Sequence, residues 1–221
     1  MKLIESNKFR KRGRGAEKIL NSNPNLDDDT RKYLEIVKKQ ADTHRRIETA
    51  SGLKLDVVQE GEPQNAAAFV EISAIKAGTR KANVVIKILN NPEQAMHAAK
   101  HEAMHIKSGI TEIDLKEELT TEQLDAIYNK LGINEKDSVF LVEGFNELAT
   151  ISDHGRDSNC GYNDQEVPVA QRLEKLSKDY TGLSLLEAYK SGNRELFFDL
   201  FRKLADAILL EQARAEILKA A

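Results

Sequence analysis

The chain has 221 residues and a net charge of -3 at neutral pH, enough length for one sizeable domain or a domain with a helical appendage. Its 40% hydrophobic and 31% charged residues fit a globular chain rich in exposed helix, and the near-balanced charge excludes a global pull toward nucleic acid or acidic membranes. One cysteine, Cys160, excludes an internal disulfide framework and points to a reducing compartment.

Residues 1–25 are polar, and the run from Lys8 to Gly15 is dense in basic residues and glycine. With no apolar h-region this stretch reads as a flexible basic arm, not a secretory signal. The expected location is therefore cytoplasmic, or outside the cell by a route that needs no cleavable signal. Asp27, Asp28 and Asp29 then open a helix that runs to about Ala50, since acidic residues in a first turn suit the helix dipole. Tyr33, Leu34, Val37 and Ala41 give it an apolar stripe, and Gly52 ends it.

From Leu53 to Leu89 the pattern alternates, and residues 82–89 form a β-branched run after a turn signal at residues 77–80. This predicts a small antiparallel sheet of about three strands. The run at 82–89 is a natural edge on which an extended peptide can be bound by strand addition. Asn91 and Pro92 supply an N-cap and a first helical residue, and the helix they start ends near Ser108 and Gly109. Further helices are expected at about Thr121–Leu131, Ser138–Ser152, Glu166–Lys178, Leu183–Ser191 and Arg194–Ala220, the last with its apolar face on the core. The expected fold is α+β: a small antiparallel sheet, an active-site helix, and a mostly helical C-terminal half. Residues 26–221 then form one domain, with helix, sheet and active-site helix in 26–110 and a helical subdomain in 111–221. No window approaches 18 consecutive apolar residues, so no membrane-spanning helix is expected.

Three of the five histidines fall between positions 97 and 105, and His101-Glu102-Ala103-Met104-His105 is an H-E-x-x-H pattern. Residues four apart stack on one helical face, so two imidazoles can address a single ion, and zinc is the expected metal. Glu102 is rotated about 100° away and is free to take a proton from water. Chance yields this pattern at about 0.01 per chain of this composition, so coincidence is a weak competitor. His97 lies two turns from His105, about 12 Å along the axis, too far to share an ion with both others. His44 has no ligand-spaced neighbour and is expected to be structural.

A catalytic zinc needs a third protein ligand and an open position. The continuation with Gly at 108 and His at 111 fails, because the chain has Ser108 and Thr111. Glu143 and Glu147, four apart on a later helix, offer one ligand and one supporting acid. H-E-x-x-H followed by Glu143-Gly144-Phe145 resembles the gluzincin metallopeptidases, the group of thermolysin and of aminopeptidases with an N-E-G-F-A segment. The resemblance covers residues 97–150. It implies His101, His105 and Glu143 as zinc ligands, Glu102 as general base and Glu147 as a carboxylate bonded to a zinc histidine. It departs from that group in having Val142 where Asn is usual, and in a longer gap from His105 to Glu143. Longer gaps occur in gluzincin-like toxin proteases, and their F-E-E-L-x-T motif can be laid on Phe145 to Thr150, which would make Glu147 the ligand. Glu143 is the preferred choice, because the E-x-x-x-E spacing with an inner glycine fits better.

The reaction implied is amide hydrolysis of a protein or peptide substrate, with Glu102 carrying the proton. Tyr162 is the preferred oxyanion donor, with His154 and Arg156 as alternatives. Peptide deformylase also uses H-E-x-x-H but needs an upstream cysteine ligand, and Cys160 lies downstream. Cys160 is also a poor nucleophile candidate, with no helix start or basic cluster to activate it. A metal-binding regulatory protein without catalysis is the alternative of a different class, and the intact Glu102 weighs against it. A nucleic-acid role through the arm is not expected, given no Trp and few aromatic residues.

Overall fold

In the computed structural model the described residues are 2–4, 6–52, 55–59, 68–69, 75, 84–86, 92–133, 138–155 and 165–220. They are mostly helix: α1 (Ser6–Ser22), α2 (Asp28–Ser51), α3 (Pro92–Ser108), α4 (Glu112–Glu118), α5 (Thr121–Leu131), α6 (Ser138–His154), α7 (Glu166–Thr181), α8 (Leu185–Ser191) and α9 (Arg194–Ala220). Strands are short: β1 (Lys2–Ile4), β2 (Leu55–Gln59), β3 (Ala68–Phe69) and β4 (Val84–Ile86). The chain falls into two compact units, Met1–Ala103 and Met104–Ala221, with the division inside α3.

The expected α+β fold built on an antiparallel sheet is corrected here: the architecture is helical. The strands, of 3, 5, 2 and 3 residues, are too short to make a layer that a core could rest on. Nor is their pairing antiparallel throughout. In the order β1-β2-β4-β3, β2 runs parallel to β4 with Asp56 opposite Val85, and the outer pairs are antiparallel. Alternating hydropathy marks a strand but says nothing of its direction, which is why the sign of the central pair was not legible. At Val85 and Ile86, β4 is paired on both edges, so those two residues offer no free edge for strand addition. The expected turn at 77–80 and the N-cap at Asn91 lie outside the described residues.

In the first unit the stretch expected as a flexible arm is the helix α1, packed along α2. Gly13 and Ala16 are buried at i and i+3, and a Cβ on Gly13 would lie 2.2 Å from the Ala41 Cβ. Small residues let the two backbones approach closely, so the docking face carries little hydropathy signal. Ion pairs flank it, Arg10 with Glu48 at 3.4 Å and Lys38 with Glu17 at 3.0 Å. Helix α2 starts as expected, Asp27 accepting the Thr30 backbone N–H at 2.8 Å.

The second unit is a helical assembly around one apolar core. Phe197, Phe198, Leu200, Phe201, Leu204, Ala205 and Ile208 of α9 are buried against α5, α7 and α8. The ring of Phe197 meets Phe145 of α6 edge-on at 5.8 Å and Phe201 at 5.3 Å. Each such side chain contributes about 1.5–3 kcal/mol by leaving water. Helix α4 lies outside the expected elements, although Thr111 and Asp114 form a capping box at its start, a spacing visible in the sequence.

Candidate metal centre

Helices α3 and α6 carry the residues singled out by spacing. In α3, Ala95 and Ala99 are fully buried and Met104 and Ile106 nearly so, which seats the helix with its histidines inside the protein. His97, His101, Glu102 and His105 are all buried. The last turn of α3 is fixed from several sides. Gly109 N–H bonds the His105 carbonyl at 3.0 Å, and Ser108 Oγ bonds the same carbonyl at 3.1 Å. Lys107, the one charged residue near the motif that departs from an apolar preference, reaches Asp153 of α6 at 3.5 Å, and Lys190 of α8 meets that carboxylate at 2.7 Å. Burial would push the Asp153 carboxyl up, but the two lysines outweigh it and hold it below the usual range.

Past the helix end, Asp114 accepts hydrogen bonds from the Thr111 backbone and hydroxyl at 2.8 and 2.7 Å, and pairs with Arg194 at 2.8 Å. The Arg194 guanidinium also bonds the Gly109 carbonyl at 3.4 Å. The exit from the histidine helix is thus tied to the first turn of α9.

Helix α6 packs closely on α7, where a Cβ on Gly144 would lie 2.6 Å from the Glu166 carbonyl oxygen. The glycine between Glu143 and Phe145 has a packing reason: it lets α6 come near enough to α7 to present its polar face inward. That face bears Glu143, Asn146, Glu147 and Thr150, at i, i+3, i+4 and i+7. The last three are fully buried.

The structure brings His101, His105 and Glu143 together, with one ligand atom from each inside a group no wider than 4.8 Å. Glu143 Oε1 stands 3.4 Å from His105 Nε2. Four-coordinate zinc, with bonds of about 2.0–2.1 Å, sets neighbouring donors about 3.4 Å apart, so this pair already has the edge length of a tetrahedron. Two imidazoles and a carboxylate form a borderline donor set that suits zinc. The residues fit the ion. The Glu143 side chain is 26% exposed and that of His105 8%, so the group opens to solvent on its carboxylate side.

Glu147, the carboxylate of the alternative overlay, is not in that group. His97 is buried on α3 and is likewise outside the group. His44, expected to be structural, is 1% exposed and lies 3.8 Å from Glu48. His154 is exposed at the end of α6, eleven residues or about 16 Å along the helix from Glu143, so it is too far to serve as oxyanion donor. Tyr162, Arg156 and Cys160 lie outside the described residues. Sequence reasoning missed Asn146 and Tyr189, which bond each other one turn from Glu143, and Ser108, which bonds the His105 carbonyl at the end of α3. A polar residue three after Glu143 was a usable signal for Asn146, whereas Tyr189 at helical spacing reads simply as core.

No family model, curated protein or solved structure matches this chain. No described helix is long and apolar enough to cross a membrane.

Proposed function

We propose that this chain is a zinc-dependent metallopeptidase that cleaves peptide bonds of a protein substrate, with His101, His105 and Glu143 as ligands. The observation that carries this reading is the convergence of three ligand atoms from two helices inside 4.8 Å, with a buried glutamate adjacent to the first histidine. Zinc bound there would supply a Lewis acid that polarises the substrate carbonyl and makes water acidic enough to be deprotonated near neutral pH. Glu102, on the same helix and turned from the ligand face, takes that proton as the oxygen of water adds to the carbonyl carbon. It then returns the proton to the amine as the C–N bond breaks, so the carboxylate ends as it began. His101 and His105 are neutral ligands fixed by one helix. Glu143 adds one negative charge, leaving the group a net cation when occupied, as an electrophilic site requires. An endopeptidase is favoured, since no segment for gripping a free amino terminus is recognisable in the sequence.

Metal analysis and peptide hydrolysis on three proteins test this. The wild type should hold one zinc per chain and cleave. Glu102→Gln should keep the zinc and lose at least about 100-fold in rate, the scale of general acid–base catalysis. Glu143→Ala should lose most of the metal. Zinc retained with no hydrolysis in the wild type would favour a regulatory metal-binding protein, and unchanged cleavage by Glu102→Gln would overturn the mechanism.

A further inference from the structure

Helix α6 buries a polar stripe along with its apolar residues, unlike an ordinary amphipathic helix. Asn146, Glu147 and Thr150 are each 0% exposed, and buried polar groups are costly unless hydrogen-bonded. Thr150 bonds the carbonyl of Asn146 at 2.8 Å. The Asn146 side chain accepts a hydrogen bond at 3.1 Å from the phenol of Tyr189 on α8. Tyr189 is itself 0% exposed, its ring held between Phe145 at 5.9 Å and Phe197 at 5.6 Å. Burial pushes this phenol well above its ordinary pKa, and the charge of Glu143 adds to the effect. The phenol therefore stays protonated. It touches a side chain one turn from Glu143.

We infer that Tyr189 is a positioning residue for the metal centre: its phenol, by bonding Asn146, ties the helix that carries Glu143 to α8, whose end packs on α3 where a Cβ on Gly192 would lie 2.5 Å from the Lys107 carbonyl oxygen, and so sets the separation between Glu143 and His105. This rests on the metal-site reading above. The ring already accounts for Tyr189 as core; the hydroxyl is what core packing does not explain, because a phenylalanine would fill the same space without a polar atom to satisfy. Groups that orient ligands from behind commonly change metal affinity by about 10–100-fold when removed.

The test is zinc affinity, by chelator competition, of the wild type, Tyr189→Phe, Asn146→Ala and the double variant, with thermal unfolding of each metal-free protein alongside. Tyr189→Phe should weaken zinc by about 10–100-fold and shift the visible absorption of the cobalt-substituted protein. The double variant should lose little more than Tyr189→Phe alone, since both remove one hydrogen bond. Zinc affinity within about twofold of the wild type in a folded Tyr189→Phe, or losses that simply add, would reduce Tyr189 to a packing residue and overturn the inference. Should Tyr189→Phe not fold, unaltered zinc binding by Asn146→Ala overturns it equally. A wild type that binds no zinc would sink the metal site itself, an outcome distinct from equal binding by all variants.

Discussion

Asp114 shows how a single buried charge steadies the approach to the site. It is 1% exposed, and burial alone would raise its pKa. The Arg194 and Thr111 hydrogen bonds outweigh that and hold it at about 2, against about 3.9 for an unperturbed aspartate. A carboxyl with a depressed folded pKa stabilises above the unfolded value and loses that contribution as pH falls from about 4 toward 2. The shift corresponds to about 2 kcal/mol as an upper figure, because Arg194 is 38% exposed and its charge is partly screened. Asp114→Asn should therefore cost about 1–2 kcal/mol at pH 7, and the gap to wild type should close as pH is lowered through 3. Urea unfolding across that range checks it, and a gap independent of pH would contradict the charge argument. At this scale the pair His101 and His105 was legible because helical spacing fixes which side chains share a face. Glu143 was reached through a family resemblance, and distance in the fold, not sequence separation, brings it to His105. Tyr189 left no sequence trace, because a buried phenol and a buried ring produce the same hydropathy pattern.

Among elements, helices with a strong apolar stripe or a clear cap were readable almost to the residue. Thr121–Leu131 and Arg194–Ala220 carry the expected bounds, and α2 and α6 differ at their ends by a residue or two. Helix α1 was missed because its docking face is Gly13 and Ala16, whose contribution is close approach rather than apolar area. The same principle governs α6. A methyl group at Gly144 would meet the Glu166 carbonyl oxygen at 2.6 Å and Ala170 Cβ at 3.3 Å, and a backbone carbonyl within a helix cannot swing aside. Gly144→Ala should destabilise the protein by about 1–3 kcal/mol, the usual cost of overpacking. It should also weaken zinc binding, since α6 is the element that carries Glu143. Denaturant unfolding with and without metal measures both, and a variant as stable as wild type would show that α6 does not need its contact with α7.

For the whole molecule, the helical second half was anticipated and the α+β class was not borne out. Alternation between Leu53 and Leu89 is a local property, whereas fold class depends on whether strands grow long enough to form a layer, and among the described residues they pair over two or three residues. The core of the second unit is built from helices around Phe145, Tyr189 and Phe197, and that core holds the polar face of α6 in place. Function in this account lies in the site and not in a fold-level likeness, so it stands or falls on one ion. The most direct measurement is an anomalous difference map at the zinc edge from crystals of the zinc-loaded protein. The expected result is one strong peak per chain, within about 2.0–2.2 Å of a nitrogen of His101, a nitrogen of His105 and an oxygen of Glu143. A map with no peak there, or with zinc held by other residues, would contradict it.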